Sequence, residues 1–213
     1  PLLSGMIVGL ILSVIFSVVG IEIPSGMLAL LCIIWILLLP FNNMRFLSMT
    51  TVASLAFVIT LFLPEGGTGY PLIDEWLASI STMNTVGFAW IIAGLFLAEA
   101  ILVFVNGWKE TSPKLIPSER GKTIGTHELR RLWLLPVLLL IPVGNVSFDG
   151  FWPLFSSGGV SNGFMFVPFI VGTQLSVRSE FPEIGVKRIA KQFLIVSLAV
   201  VLFAGFATVW PFL

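Results

Sequence analysis

The chain has 213 residues, 57% of them hydrophobic and only 10% charged, with a mean hydropathy of +1.05. A soluble fold of this length could not hide so much apolar surface, so the composition excludes a soluble domain and points to a bilayer protein. The formal net charge is +0, and no nucleic-acid partner is expected.

Seven apolar segments follow one another: Leu2 to Val19, Gly26 to Leu39, Phe46 to Leu63, Asn84 to Val105, Leu132 to Val146, Phe164 to Val177, and Phe193 to Trp210. Each is read as helical, because lipid tolerates no unsatisfied backbone. The expected fold is therefore all-α, a single polytopic bundle of about seven spans over 1–213. The second, fifth and sixth segments are short of the roughly 20 residues that a span needs. Pro136 and Pro142 interrupt the fifth, so a re-entrant fifth-and-sixth pair is the fallback.

Charge fixes the expected orientation. All basic residues fall in three alternate loops: Arg45; then Lys109, Lys114, Arg120, Lys122, Arg130 and Arg131; then Arg178, Lys187, Arg188 and Lys191. The intervening loops carry Glu22, then Glu65, Asp74 and Glu75, then Asp149, with no basic residue. This alternation is the positive-inside pattern of a multi-pass protein with a cytosolic N-terminus.

In the first segment Gly5, Gly9, Ser13 and Ser17 recur every fourth residue. Such a stripe lets a neighbouring helix approach closely. Packing within the same bundle is the expected use, and a homodimer face the alternative, which leaves a homo-oligomer open. Cys32 sits in an apolar run as the one cysteine, excluding an internal disulfide. Between Tyr70 and Ser81, Leu72, Ile73, Trp76, Leu77 and Ile80 share one helical face, predicting a short helix in the outer interface.

Glu99 is the one ionisable residue well inside an expected span. A carboxylate there must be paired, protonated or near water. Anchoring through an ion pair or hydrogen bond, for instance toward Arg130 or Arg131, is expected over a proton or cation site, because no second intramembrane charge accompanies it.

Motif-like strings in the 107–130 loop carry no chemistry. Gly121-Lys122-Thr123 resembles the end of a phosphate-binding loop, but Ile116 holds the required glycine position. His127-Glu128 resembles the start of a zinc-protease motif, but position 131 is Arg. No catalytic residue, metal or cofactor is expected, and the chain is not read as an enzyme. The loop's basic residues suit anionic lipid headgroups or a protein partner. Thr126 and Glu128 have helix-start chemistry, as cap and first-turn acid. Lys114, Arg120, Lys122, His127, Arg130, Arg131, Lys187 and Arg188 are the candidate contacts. Further on, Phe148, Phe151, Trp152 and Phe155 are placed as an aromatic belt would be.

The run TSPKLIPSERGKTIGTHELRRLWLLPVLLLIP, then FDGFWPLFSSGG and FMFVPFIVG, resembles the membrane region of MinJ-like proteins. These are multi-pass, PDZ-bearing cell-division topology proteins of Gram-positive bacteria related to Bacillus. The resemblance is strongest from Thr111 to Gly172. It implies a plasma-membrane adaptor at septa and poles, linking DivIVA to MinD and so to the MinC/MinD division inhibitor. It also implies a further N-terminal span and a C-terminal cytosolic PDZ domain, both outside this chain. It supplies no catalytic residues. The rival reading is a small-solute transporter, or the substrate-binding membrane subunit of one, for which the Pro-broken fifth segment is the main argument.

Overall fold

The computed structural model describes residues 2–41, 43–63, 68–117, 123–146, 155, 161–178 and 181–210. Six α-helices and one antiparallel sheet make up the described residues. Their order is α1 (Leu2–Val19), α2 (Ser25–Leu38), α3 (Met49–Thr60), α4 (Pro71–Ser81), α5 (Thr85–Asn106), β1 (Ser112–Pro117), β2 (Thr123–Val146), β3 (Asn162–Arg178) and α6 (Pro182–Val209).

The central helix is α5. Asn84 caps it, its side chain accepting the Gly87 amide at 2.9 Å. Phe88, Ile91, Leu95, Leu102 and Val103 are fully buried along its length. Against it lies α6, whose Val186, Ala190, Ser197 and Ala204 are buried at intervals of four and seven. Gly107, just after α5, lets the two approach, since a Cβ there would stand 2.9 Å from Val186.

An all-α bundle of seven spans is not what the chain forms. Among the described residues three helices are long and apolar enough to cross a membrane: Leu2–Val19, Thr85–Lys109 and Pro182–Val209. The fifth and sixth apolar segments are instead strands β2 and β3, paired from Thr126↔Arg178 to Ile141↔Gly163. Thr126 and Glu128 accordingly lie in a strand rather than at a helix start. Thr126 Oγ1 donates to the Lys114 carbonyl across the β1–β2 pair at 3.0 Å. The expected helix over Tyr70 to Ser81 does form, as α4.

Proline explains the strand. In a helix, Pro136, Pro142 and Pro168 would each delete a hydrogen bond and clash with the preceding turn. In the sheet Pro136 faces Pro168 directly. Its carbonyl, the Leu138 amide and the Leu140 carbonyl all point away from β3, toward α1 and the chain after it. Pro136↔Pro168 is therefore a non-hydrogen-bonded pair, in which neither missing N–H is needed by the ladder. One face of the sheet is core, with Leu129, Trp133, Leu135 and Val137 buried. The opposite face leaves Leu132, Leu134, Phe164 and Phe166 exposed.

A free strand edge inside an apolar medium would leave backbone groups unsatisfied, which bilayers do not tolerate. The outer edge of β2 is covered in sections. β1 pairs with it from Thr123 to Glu128, and the Ile23 amide donates to the Leu140 carbonyl at 2.9 Å. Between these, α1 lies along the strand.

Candidate functional site

The small-residue stripe makes that contact possible. Gly5, Gly9 and Ser13 are buried, and Ser17 is half-buried. A Cβ on Gly5 would stand 2.6 Å from the Leu134 carbonyl oxygen, and one on Gly9 2.6 Å from Pro136 Cδ. Ser13 completes the seam. Its hydroxyl lies 2.9 Å from the Gly9 carbonyl and 3.1 Å from the Pro136 carbonyl, and it accepts the Leu138 amide at 2.8 Å. The stripe thus packs inside the chain, but against a strand backbone rather than another helix.

Glu99 forms a second polar junction, nearly fully buried in the last third of α5. One carboxylate oxygen accepts from Thr173 Oγ1 at 2.7 Å and the other from Ser48 Oγ at 3.3 Å. Ser48 stands at the N-cap of α3 and Thr173 lies in β3. One side chain therefore ties α5, α3 and the sheet together, through neutral hydroxyls rather than the arginines expected of it. Ser48 was legible only as a serine inside the third apolar segment, not as the residue that precedes the helix. Thr173 stood out only as one of a few polar residues in apolar segments, and its link to Glu99 could not be read because its strand was read as a helix.

The described basic residues share one end of the fold. The Met44 amide donates to Gln174 Oε1 at 3.4 Å, which places Arg45 beside the end of β3. The Gln174 amide nitrogen in turn donates to Glu128 Oε1 at 3.3 Å. Lys114 and Arg130 reach the same carboxylate at 3.3 and 4.0 Å. At the close of α5 the Trp108 ring has the Lys109 ammonium at 5.5 Å and that of Lys187 at 5.9 Å. Lys187 also bridges Glu183 at 2.7 Å. His127 and Arg131 follow on the core side of β2, half-buried, with His127 Nδ1 lacking a partner. Arg188 is exposed on α6. Arg120 and Lys122 lie outside the described residues, as does the expected aromatic belt apart from Phe155. Trp108, which sequence reasoning passed over, proves to bracket two of the cations.

Among the described acidic residues, Glu22 and Asp74 lie toward the other end. Glu22 pairs with Leu140 near the far end of β2. Helix α4 docks there through Trp76 Nε1, which donates to the Gly26 carbonyl at 3.0 Å. Asp74 is solvent-exposed and accepts from the Thr68 backbone amide and hydroxyl. Those bonds, the backbone one first, hold its pKa below the ordinary aspartate value.

Among the described residues no group of three His, Cys, Asp or Glu side chains could hold a metal ion. Cys32 is exposed. Among the described residues the arrangement offers tight internal seams and a charged end.

No protein-family model matches the chain, and no solved structure matches it. Over 208 residues, 97% of its length, it is 30% identical to the cell division topological determinant MinJ of Bacillus subtilis. The chain spans about half of that protein, 52% of its length. Identity of this extent supports a MinJ-like relationship for the chain.

Proposed function

We propose that the chain is the membrane-embedded part of a division-site scaffold, a non-enzymatic adaptor that helps to place the Min system at septa and poles. The observation that carries this reading is the 30% identity with MinJ along almost the whole chain. The three long apolar helices support a multi-pass placement in the bacterial plasma membrane. The gathering of basic side chains at one end supports an orientation with that end in the cytosol. DivIVA and MinD are the proposed partners. They would meet the cytosolic end around Lys114, Arg130 and Lys187, together with whatever the other half of a MinJ-length protein contributes.

The interior also favours scaffold over transporter. Glu99 is enclosed by hydroxyl donors from two neighbouring elements, so it serves as a clamp rather than as an open binding group. Localising a fluorescent fusion of the full-length protein tests the proposal. Enrichment at septa and poles that depends on DivIVA supports it, and a uniform membrane signal refutes it.

A further inference from the structure

We propose that the groove at the start of α6 is a headgroup site for an anionic phospholipid, its acyl chains descending along the same helix. The groove, about 390 Å³, is lined by Glu183, Ile184, Lys187, Arg188 and Lys191. Three cations face one carboxylate, and that carboxylate is already engaged by Lys187 at 2.7 Å. Lys187 is held from a second side by the Trp108 ring, so its ammonium is positioned before any ligand arrives. Arg188 and Lys191 are exposed and supply the remaining charge for a phosphate diester.

What selects a lipid over a free anion is the continuation of the strip. Ile184, Arg188, Lys191, Ile195, Leu198 and Leu202 follow one another at steps of three and four, on one side of α6. Below the charges the exposed members are apolar, Ile195 at 65%, Leu198 at 48% and Leu202 at 72% accessible. Charge above and a hydrocarbon rail below match a phospholipid and no soluble phosphate. Trp108 and Lys109, at the end of one apolar helix, stand level with this charge band at the start of another, as membrane-boundary residues do.

The inference rests on the membrane placement proposed above, and its test separates the two. The full chain, purified in detergent, is equilibrated with mixed phosphatidylglycerol and phosphatidylcholine, and the lipid retained per chain is counted by native mass spectrometry. Phosphatidylglycerol should be retained in preference. R188Q/K191Q, at exposed positions, should weaken its apparent affinity by about tenfold or more. Equal retention of both lipids, or a preference that survives R188Q/K191Q, overturns the site. Displacement by glycerol phosphate at matched concentration would make the ligand a soluble phosphate, and displacement by oligoglutamate would assign the groove to an acidic protein segment. Either overturns the lipid assignment. If the chain instead leaves membranes in an alkaline wash, the membrane placement itself fails.

Discussion

Removing the hydroxyl of Ser13 should cost far more than a serine in an apolar helix ordinarily does. In S13A the Leu138 amide loses its acceptor and the Pro136 carbonyl its share of the one hydroxyl proton, which lies between it and the Gly9 carbonyl, while the methyl-sized remainder still fills the seam. Water cannot replace the hydroxyl where α1 lies against β2. Each buried polar group left unpaired costs about 1–3 kcal/mol, the amide toward the upper end and the carbonyl toward the lower. A loss of about 3 kcal/mol follows. For a chain of this size about 2–4 °C accompanies each kcal/mol, so the melting temperature should fall by about 6–12 °C. The control is S54A, because Ser54 bonds only the Thr50 carbonyl one turn back in its own helix. Both variants would be melted in the same detergent. If S13A falls no further than S54A, the hydroxyl does not seal the strand edge, and the account of α1 as an edge cover is wrong.

Three further outcomes follow from other parts of the molecule. At Glu99, E99Q keeps an acceptor for one of the two hydroxyls and should accumulate normally with function intact. E99L strands both Ser48 and Thr173 and should lower abundance in cells; loss of function by a folded E99Q would indicate ion or proton handling instead. In a C32S background, a cysteine at Lys114 should resist impermeant labelling of intact cells and one at Asp74 should react; the reverse pattern would invert the orientation. The contact between Thr68 and Asp74 stabilises the ionised carboxylate, whose folded pKa lies below the ordinary aspartate value of 3.8. It should therefore be fully present above that value and lost as pH falls through the folded one, seen as increased mobility of a spin label at Tyr70.

The helical part of the fold was legible where apolar runs were long. Leu2 to Val19 is read without error, and α5 differs from its expected segment by one residue at each end. The sheet was not legible, for a physical reason. A run such as LWLLPVLLLIP is apolar on every side, so it carries neither the period of a helix nor that of a strand. Length and prior favour a helix in lipid, and only Pro136, Pro142 and Pro168 argued otherwise. Their meaning depends on a pairing partner 32 residues further along, Pro168 opposite Pro136, which no local pattern reveals. The same misreading hid the place of Thr173, and with it the hydrogen-bonded setting of Glu99. The stripe was recognised as a packing surface, but its partner could not be, because small residues permit close approach to any backbone.

That stripe suits a strand for a reason of length. Four residues of helix rise about 6.0 Å and two residues of strand about 6.6–6.8 Å. Gly5, Gly9 and Ser13 step by four along α1 while Leu134, Pro136 and Leu138 step by two along β2, so the two backbones stay nearly in phase. The remaining mismatch, about 0.7 Å per step, accumulates to about 2 Å by the position of Ser17. There the partnership changes hands, and the Leu140 carbonyl is met by the Ile23 amide of the chain beyond α1 instead. Ser17 accordingly is only half-buried, whereas Gly9 is fully so. The stripe is therefore not uniform in its demands. G9L must drive a side chain into the Pro136 backbone and should prevent α1 from seating, with lower accumulation and a melting temperature well below that of the parent. S17L, at the out-of-phase end, should be much the milder of the two. Equal effects at both positions would mean that α1 is held by general apolar packing. A G9L variant that stays as stable but loses self-association would place the stripe on a dimer interface instead of on β2.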